Sequence, residues 1–256
     1  MSDREQSADW AALRSTKPLD GRLAVVTGAS RGIGYEAALG FAAAGAHVIA
    51  LARTVGGLEE LDDDIKDMGG SATLAPLDIT DFEALDRLGA TIYERWGKLD
   101  ILLGNAGSLG LITPLHQMKP SVFEEVMSVN VTANYRLIRS LDPLLRLSDA
   151  GRAVFLTSGA TESLRPFTGA YAASKAALDA MVRVYAKENQ KTAMRINLVD
   201  PGTLRTKMRA RYAPGEKPST VTHPAAIVET LVRMVSPQED RTGGVYDFAA
   251  DGWKPI

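Results

Sequence analysis

A doubly wound α/β fold, with about seven mostly parallel strands and helices on both faces of the sheet, is what this 256-residue sequence predicts. Three observations carry it. Seven short runs are apolar along nearly their whole length: LAVVT, HVIAL, ATLAPL, LDILLG, RAVFLT, MRINLV and VYDF. Such runs, without polar alternation, suit parallel strands buried on both faces. Amphipathic stretches separate most of them, as crossovers between parallel strands require. A glycine cluster, finally, stands between the first run and the first helical pattern, where open sheets of this kind receive ligands.

Residues 1–20 are polar, lack strong periodicity and end in KPLDG. They are expected to form an extension, mobile or surface-docked, outside a single domain of residues 21–256. The first strand, 23–27, runs into GASRGIG, and a helix follows over 33–44. Backbone N–H groups of such a turn, with the helix N-terminus, can receive a pyrophosphate. Gly28, Gly32 and Gly34 permit the tight turn and close approach. Their spacing departs from G-x-G-x-x-G, and a plain tight loop is the alternative.

The second strand, HVIAL, leads to Ala52 and Arg53. An acidic residue about twenty positions beyond the glycine turn would mark NAD, and an arginine there accommodates the 2′-phosphate of NADP. No carboxylate stands at Ala52, and the Arg53 guanidinium can pair with a phosphate bidentately. NADP(H) is therefore expected over NAD(H), with Arg31 a second candidate cation and a solvated loop residue the alternative for Arg53. The third strand ends at Asp78, ahead of a helix beginning near Asp81 that Asp78 or Thr80 could cap. The fourth, fifth and sixth strands run into Asn105, Ser158 and Pro201-Gly202. With Gly28, four motifs thus stand at strand ends, where ligands bind in such sheets. Long helices are expected near 120–147, kinked or broken at Pro143, and over 169–191.

The second of these helices carries the chemistry. Tyr171 and Lys175 are four apart in YAASKAAL, so both side chains project from one helix face. A free phenol ionises near pKa ~10, and a fixed cation nearby would lower that value. Tyr171 would then exchange a proton with a carbonyl or alcohol oxygen that Ser158, thirteen positions upstream, orients. Thr157 is the alternative hydroxyl, since alternation turns only one of the two inward.

TGASRGIG at 27–34, NAG at 105–107, Asn130, Ser158 and YAASK at 171–175 resemble, in order and spacing, the single-domain branch of the short-chain dehydrogenase/reductase family. The resemblance spans about residues 21–248. It implies a Rossmann-type sheet and an NADP-preferring alcohol dehydrogenase or carbonyl reductase. Asn130, Ser158, Tyr171 and Lys175 are its implied catalytic residues. Lys175 would also grip the nicotinamide ribose, and Asn130 would order a water linking Lys175 to solvent; a buried polar residue perturbing its helix is the alternative for Asn130. Cofactor contact is implied for Gly28, Ser30, Arg31, Gly32, Ile33, Gly34, Arg53, Asp78 (adenine), Ile79, Asn105, Ala106, Gly107, Tyr171, Lys175, Pro201, Gly202 and Thr206. A helix N-cap is the alternative for Thr206. A non-catalytic NADP(H) sensor on the same fold, or a dehydratase or epimerase, are the competing functions. The four proton-transfer residues speak against the sensor, and the short C-terminal region against the other two.

Composition narrows the field. A net charge of −2 and 45% apolar residues give no basic surface for nucleic acid and no disorder signature. The absence of cysteine excludes disulfides and thiolate chemistry. His47, His116 and His223 lack metal-ligand spacing, so no metal is expected. No stretch has the apolar length of a signal peptide or a membrane span, and a cytoplasmic location is expected. The partner is a small carbonyl or alcohol. The two long helices are expected, by the resemblance, to build a homodimer or homotetramer. Arg205, Lys207, Arg209, Arg211 and Lys217, against Glu216 alone, make the 203–224 segment basic: either a solvated lid or a lure for an acidic substrate group. The ending FAADGWKPI departs from the glycine-rich tail of relatives.

Overall fold

A computed structural model describes residues 7–255. Eight strands form one sheet: β1 (Leu23–Thr27), β2 (His47–Ala52), β3 (Ser71–Pro76), β4 (Ile101–Gly104), β5 (Arg152–Leu156), β6 (Arg195–Asp200), β7 (Val245–Asp247) and β8 (Gly252–Trp253). Their order is β3-β2-β1-β4-β5-β6-β7-β8. Every neighbouring pair is parallel except the last, where β8 runs antiparallel to β7. The order reverses between β1 and β4, which opens a crevice at the carboxyl ends of the strands.

Alternation along the strands divides the core. Ala24 and Val26 face one layer, with Leu39, Phe41, Val228 and Leu231, while Leu23 and Val25 face the other, with Leu85, Leu137, Leu178 and Val182. Helix α1 (Trp10–Thr16) and α2 (Gly32–Ala43) belong to the first layer. Helix α2 is buried nearly all round, and Gly40 lets it approach α10 (Val228–Val235): a Cβ there would lie 2.2 Å from Val228. Between them in sequence come α3 (Val55–Asp67), α4 (Phe82–Trp96), α5 (Pro120–Met127), α6 (Ala133–Leu145), the short α7 (Ala160–Ser163), α8 (Gly169–Glu188) and α9 (Lys207–Tyr212).

Four details differ from the sequence expectation. The eighth strand lies in the tail, where two residues suffice because Trp253 packs edge-on against Tyr246 at 5.4 Å. The N-terminal segment is docked: Trp10, Leu13 and Leu19 join the core, so apolar side chains too sparse to show a period still bury themselves. Residues 1–6 of that extension lie outside the described residues. The helix after Pro120 is not interrupted at Pro143, which sits in the last turn of α6; a π-helical turn, Ser128–Thr132, separates α5 from α6 instead. Neither Asp78 nor Thr80 caps α4, because Asp81 accepts the N–H of Ala84 and does so itself. Among the described residues no helix is long and apolar enough to cross a membrane, and no cluster of three or more His, Cys, Asp or Glu could hold a metal.

Candidate active site

The glycine turn is built against the loop after β4. Thr27, the last residue of β1, accepts the N–H groups of Asn105 and Ala106 through its hydroxyl, both at 3.0 Å. The Asn105 amide returns bonds to the carbonyls of Thr27 (2.7 Å) and Gly28 (3.4 Å). Gly28 and Gly32 adopt positive φ, +67° and +59°. A Cβ at Gly34 would lie 2.4 Å from the Gly28 carbonyl oxygen, so only glycine lets α2 start this close to the turn. No side chain caps α2, and the first N–H groups of a helix have no intrahelical acceptor. A turn left bare of side chains at Gly28, Gly32 and Gly34, ending at an uncapped helix N-terminus, fits a pyrophosphate.

At the neighbouring strand ends, Arg31 is exposed, Ser30 and Ile33 are half-buried and Ile79 is buried. Arg53 pairs with Asp78 at 3.5 Å, its own side chain 70% exposed. Desolvation opposes ionisation of Asp78, yet the N–H and hydroxyl of Thr80 together with Arg53 hold its carboxyl below the usual range. The sequence treated these two residues as independent contacts, whereas the fold makes them partners.

Helix α8 presents Tyr171, Lys175 and Asp179 at successive four-residue steps. Lys175 is buried and donates to the Leu156 carbonyl at 2.7 Å, its Nζ 5.9 Å from the Tyr171 ring centroid. Burial lowers its pKa to about 8, against the opposing charge of Asp179. The Tyr171 phenol moves the other way from expectation. Desolvation raises its pKa, the Ser158 hydroxyl bond only partly offsets this, and the Asp200 carboxylate adds to the rise. Lys175 is not among the groups that set this shift; its ammonium donates to Leu156. Ser158 is half-buried and acts on the phenol, while Thr157 is buried with no hydrogen-bond partner for its hydroxyl among the described residues, so Ser158 is the hydroxyl open to the site.

Asn130 is fully buried in the π-helical turn. Its Oδ1 accepts Ser108 N–H at 2.8 Å, and its Nδ2 donates to Ser108 O at 2.9 Å and Ser174 Oγ at 2.8 Å. Both amide protons are committed, so the side chain ties the 105–108 loop to α8 and has no donor left for a water. Gly107 is thereby held beside Lys175: a Cβ there would be 3.7 Å from Nζ. Gly202 adopts φ +62° after half-buried Pro201 and donates to Asp200 Oδ1 at 3.1 Å. Thr206 caps α9, accepting the N–H of Arg209, and its methyl lies 3.3 Å from a Cβ placed on Gly32. The cap alternative is therefore realised, at a point facing the glycine turn.

Two further findings revise the basic 203–224 segment. Arg209 is paired bidentately with Glu216 (2.7 and 2.8 Å), and Arg211 donates to the Gly110 carbonyl at 3.2 Å. The lure for an acidic substrate thus loses Arg209. The sequence also passed over Thr27 and Ser174, although both lie inside quoted motifs, and Asp179, Asp200 and Lys254, which no motif marks.

The short chain dehydrogenase family model matches residues 22–217. An uncharacterized oxidoreductase of Escherichia coli K12, YciK, is 38% identical over 93% of this chain and 95% of its own length. A short chain dehydrogenase from Shigella flexneri 2a strain 301, solved with NADP, superposes with a TM-score of 0.87 at 37% identity, covering 91% of this chain and 98% of that one. A second, from Escherichia coli CFT073 with NADPH, gives 0.85 at 38% identity, covering 91% and 98%.

Proposed function

Because this chain belongs to the short chain dehydrogenase family, we propose that it is an NADP(H)-dependent oxidoreductase acting between a carbonyl and a secondary alcohol, with Tyr171 as general acid and base. The observation that carries this reading is convergence: Ser158 close enough to act on the Tyr171 phenol, and Lys175 one turn away, at strand ends beside a glycine turn shaped for a pyrophosphate. The cofactor supplies or takes the hydride. Tyr171 gives its phenolic proton to the carbonyl oxygen in reduction and takes it back in oxidation. Ser158 holds the same oxygen. Lys175, once released from Leu156, stabilises the phenolate and bonds the ribose.

Gly28, Gly32, Ile33 and Gly34 hold the pyrophosphate, with Ser30 and Arg31 at the turn's outer edge. Arg53 meets the 2′-phosphate, and Asp78 and Ile79 flank the adenine. Asn105, Ala106 and Gly107 border the nicotinamide ribose, and Pro201, Gly202 and Thr206 the ring. Solved relatives carrying NADP and NADPH support the cofactor choice. Asn130 serves by position, holding Gly107 and α8 together.

The substrate has an apolar body. Leu111, Ile112, Leu115, Leu164 and Phe167 are large and exposed on the two loops flanking Ser158 and Tyr171, and Thr113 N–H bonds Phe167 O at 3.1 Å to hold those loops together. Leu164 and Phe167 adopt positive φ of 43° and 71°, a strain that non-glycine residues keep mainly at functional sites. Tyr135 on α6 and Val184 on α8 are exposed apolar side chains that suit a symmetric homodimer or homotetramer, which light scattering would size. A cytoplasmic setting is consistent with the lack of cysteine.

The deciding experiment follows NADPH absorbance against ketones and aldehydes graded from polar to bulky and apolar, native protein beside Tyr171→Phe. Turnover by the native protein that rises with apolar size and disappears in the variant is expected. NADPH binding by both without turnover by either would replace this reading with a cofactor sensor.

A further inference from the structure

The chain's last described turn comes back to the strand ends that hold the site. Strand β8 pairs with β7, and Trp253 seats on Gly244, where a Cβ would be 2.6 Å from the indole. The next residue, Lys254, bonds through its backbone N–H to Val245 O at 2.8 Å. Its ammonium, 17% exposed, donates to Glu162 Oε1 at 2.8 Å and Asp200 Oδ2 at 3.0 Å, with Asp247 Oδ2 at 3.7 Å.

These carboxylates are not peripheral. Asp200 is the last residue of β6 and is buried, and its Oδ2 lies 3.2 Å from the point a Cβ on Gly159 would occupy, next to Ser158. Glu162 lies in α7, within the segment that joins Ser158 to Tyr171. One ammonium therefore ties the C-terminal tail to the sheet behind the catalytic hydroxyls and to the loop in front of them.

We propose that Lys254 is a positioning residue of the active site: its ammonium neutralises Asp200 and fastens the 159–168 segment to the sheet, holding Ser158 and Tyr171 in register. The electrostatic part rests on the reading of Tyr171 as acid and base. Ser158 from the β5–α8 connection and Asp200 from β6 act on the phenol directly, and Lys175 Nζ from α8 lies 5.9 Å from its ring; Asp179 acts on Lys175, and Lys254 from the tail joins Glu162 to Asp200. Of the carboxylates, Asp200 is the one whose charge opposes ionisation of Tyr171, and it opposes ionisation of Asp179 too. Lys254 is the cation bonded to Asp200. Removing it leaves Asp200 uncompensated, which disfavours the phenolate, the form that oxidation requires.

The test compares native protein with Lys254→Met, Lys254→Arg and the double variant Lys254→Met/Asp200→Asn. In the ligand-free proteins, amide hydrogen exchange over residues 159–168 is expected to quicken about tenfold in Lys254→Met, to stay near native in Lys254→Arg, and to be unchanged at 28–34 in all. With any alcohol that the native enzyme oxidises, the pH limb belonging to Tyr171 is expected to move alkaline by about half a unit in Lys254→Met, roughly threefold in ionisation, and to return in the double variant. A tail that only anchors would not be rescued by losing a second bonding group, so a double variant that fails to restore the limb overturns the electrostatic role. Unchanged exchange at 159–168 in Lys254→Met overturns the whole proposal. Absence of turnover by the native protein removes the reading of Tyr171 instead, and the exchange data still decide whether Lys254 holds the segment.

Discussion

Two lysines, Lys175 on α8 and Lys254 on the tail, point at the same strand ends, and their pKa values shift in opposite directions. Lys175 is enclosed, bonded to a neutral carbonyl, and its pKa falls to about 8. Lys254 is also desolvated, but its bonds to Glu162 and Asp200 and their charges reverse that effect and raise its pKa above the ordinary lysine value. Burial disfavours the charged form, and whether a carboxylate is bonded decides the sign of the outcome. The difference separates a lysine kept adjustable from one used as a fastener. The first is strained as a cation and suited to a role that a ligand would complete; the second is already satisfied.

The comparison can be broken most decisively at Lys175. Lys175→Met is expected to lower turnover by about 10²–10⁴, and at the same time to stabilise the ligand-free fold at neutral pH. The folded pKa lies below the unfolded value of 10.5, so the penalty of the buried charge is fully present below about pH 8 and fades as pH rises toward 10.5. At pH 7 it amounts to about 3 kcal/mol, partly offset by the bond to Leu156. Urea unfolding should show the variant more stable than native at pH 7 and the gap closing by pH 10; a variant less stable at pH 7 would break the contrast. Lys254→Met should show the opposite sign, a loss of about 3 kcal/mol at pH 7 in the same measurement, because buried Asp200 is left unpaired.

Smaller effects sharpen it. Asp179→Asn removes the carboxylate that favours charged Lys175, so a lysine NMR titration should find the Lys175 midpoint lower by about half a unit or more, and an unmoved midpoint would show that the two groups do not communicate. Arg53→Gln touches neither lysine and serves as the far control. NADPH affinity should fall about tenfold by fluorescence titration, the loss of one charge-assisted pair, while NADH affinity and the Lys175 midpoint stay as in the native protein.

Much of the fold was legible because it rests on local composition. The seven apolar runs match seven strands to within a residue or two at each end, and the glycine turn stands where the strand-to-helix junction demanded it. The unread parts rest on contacts distant in sequence. Trp10 and Leu13 showed no period over a seven-residue helix, yet they pack on the core. Asn130 was visible as a polar residue in a helical stretch, but its three bonds to Ser108 and Ser174 depend on a π-helical turn that periodicity does not announce.

By itself the sequence determined the strand-and-helix order, the glycine turn and the four-residue step from Tyr171 to Lys175, because hydrophobic period, backbone freedom and helical geometry are properties of neighbouring residues. The direction of each pKa shift, the pairing of Arg53 with Asp78 and of Arg209 with Glu216, and the return of Lys254 to Asp200 were decided only by the tertiary structure. Desolvation and charge proximity depend on distance in space, and residues 200 and 254 come within 3.0 Å only once β6, β7 and β8 have paired.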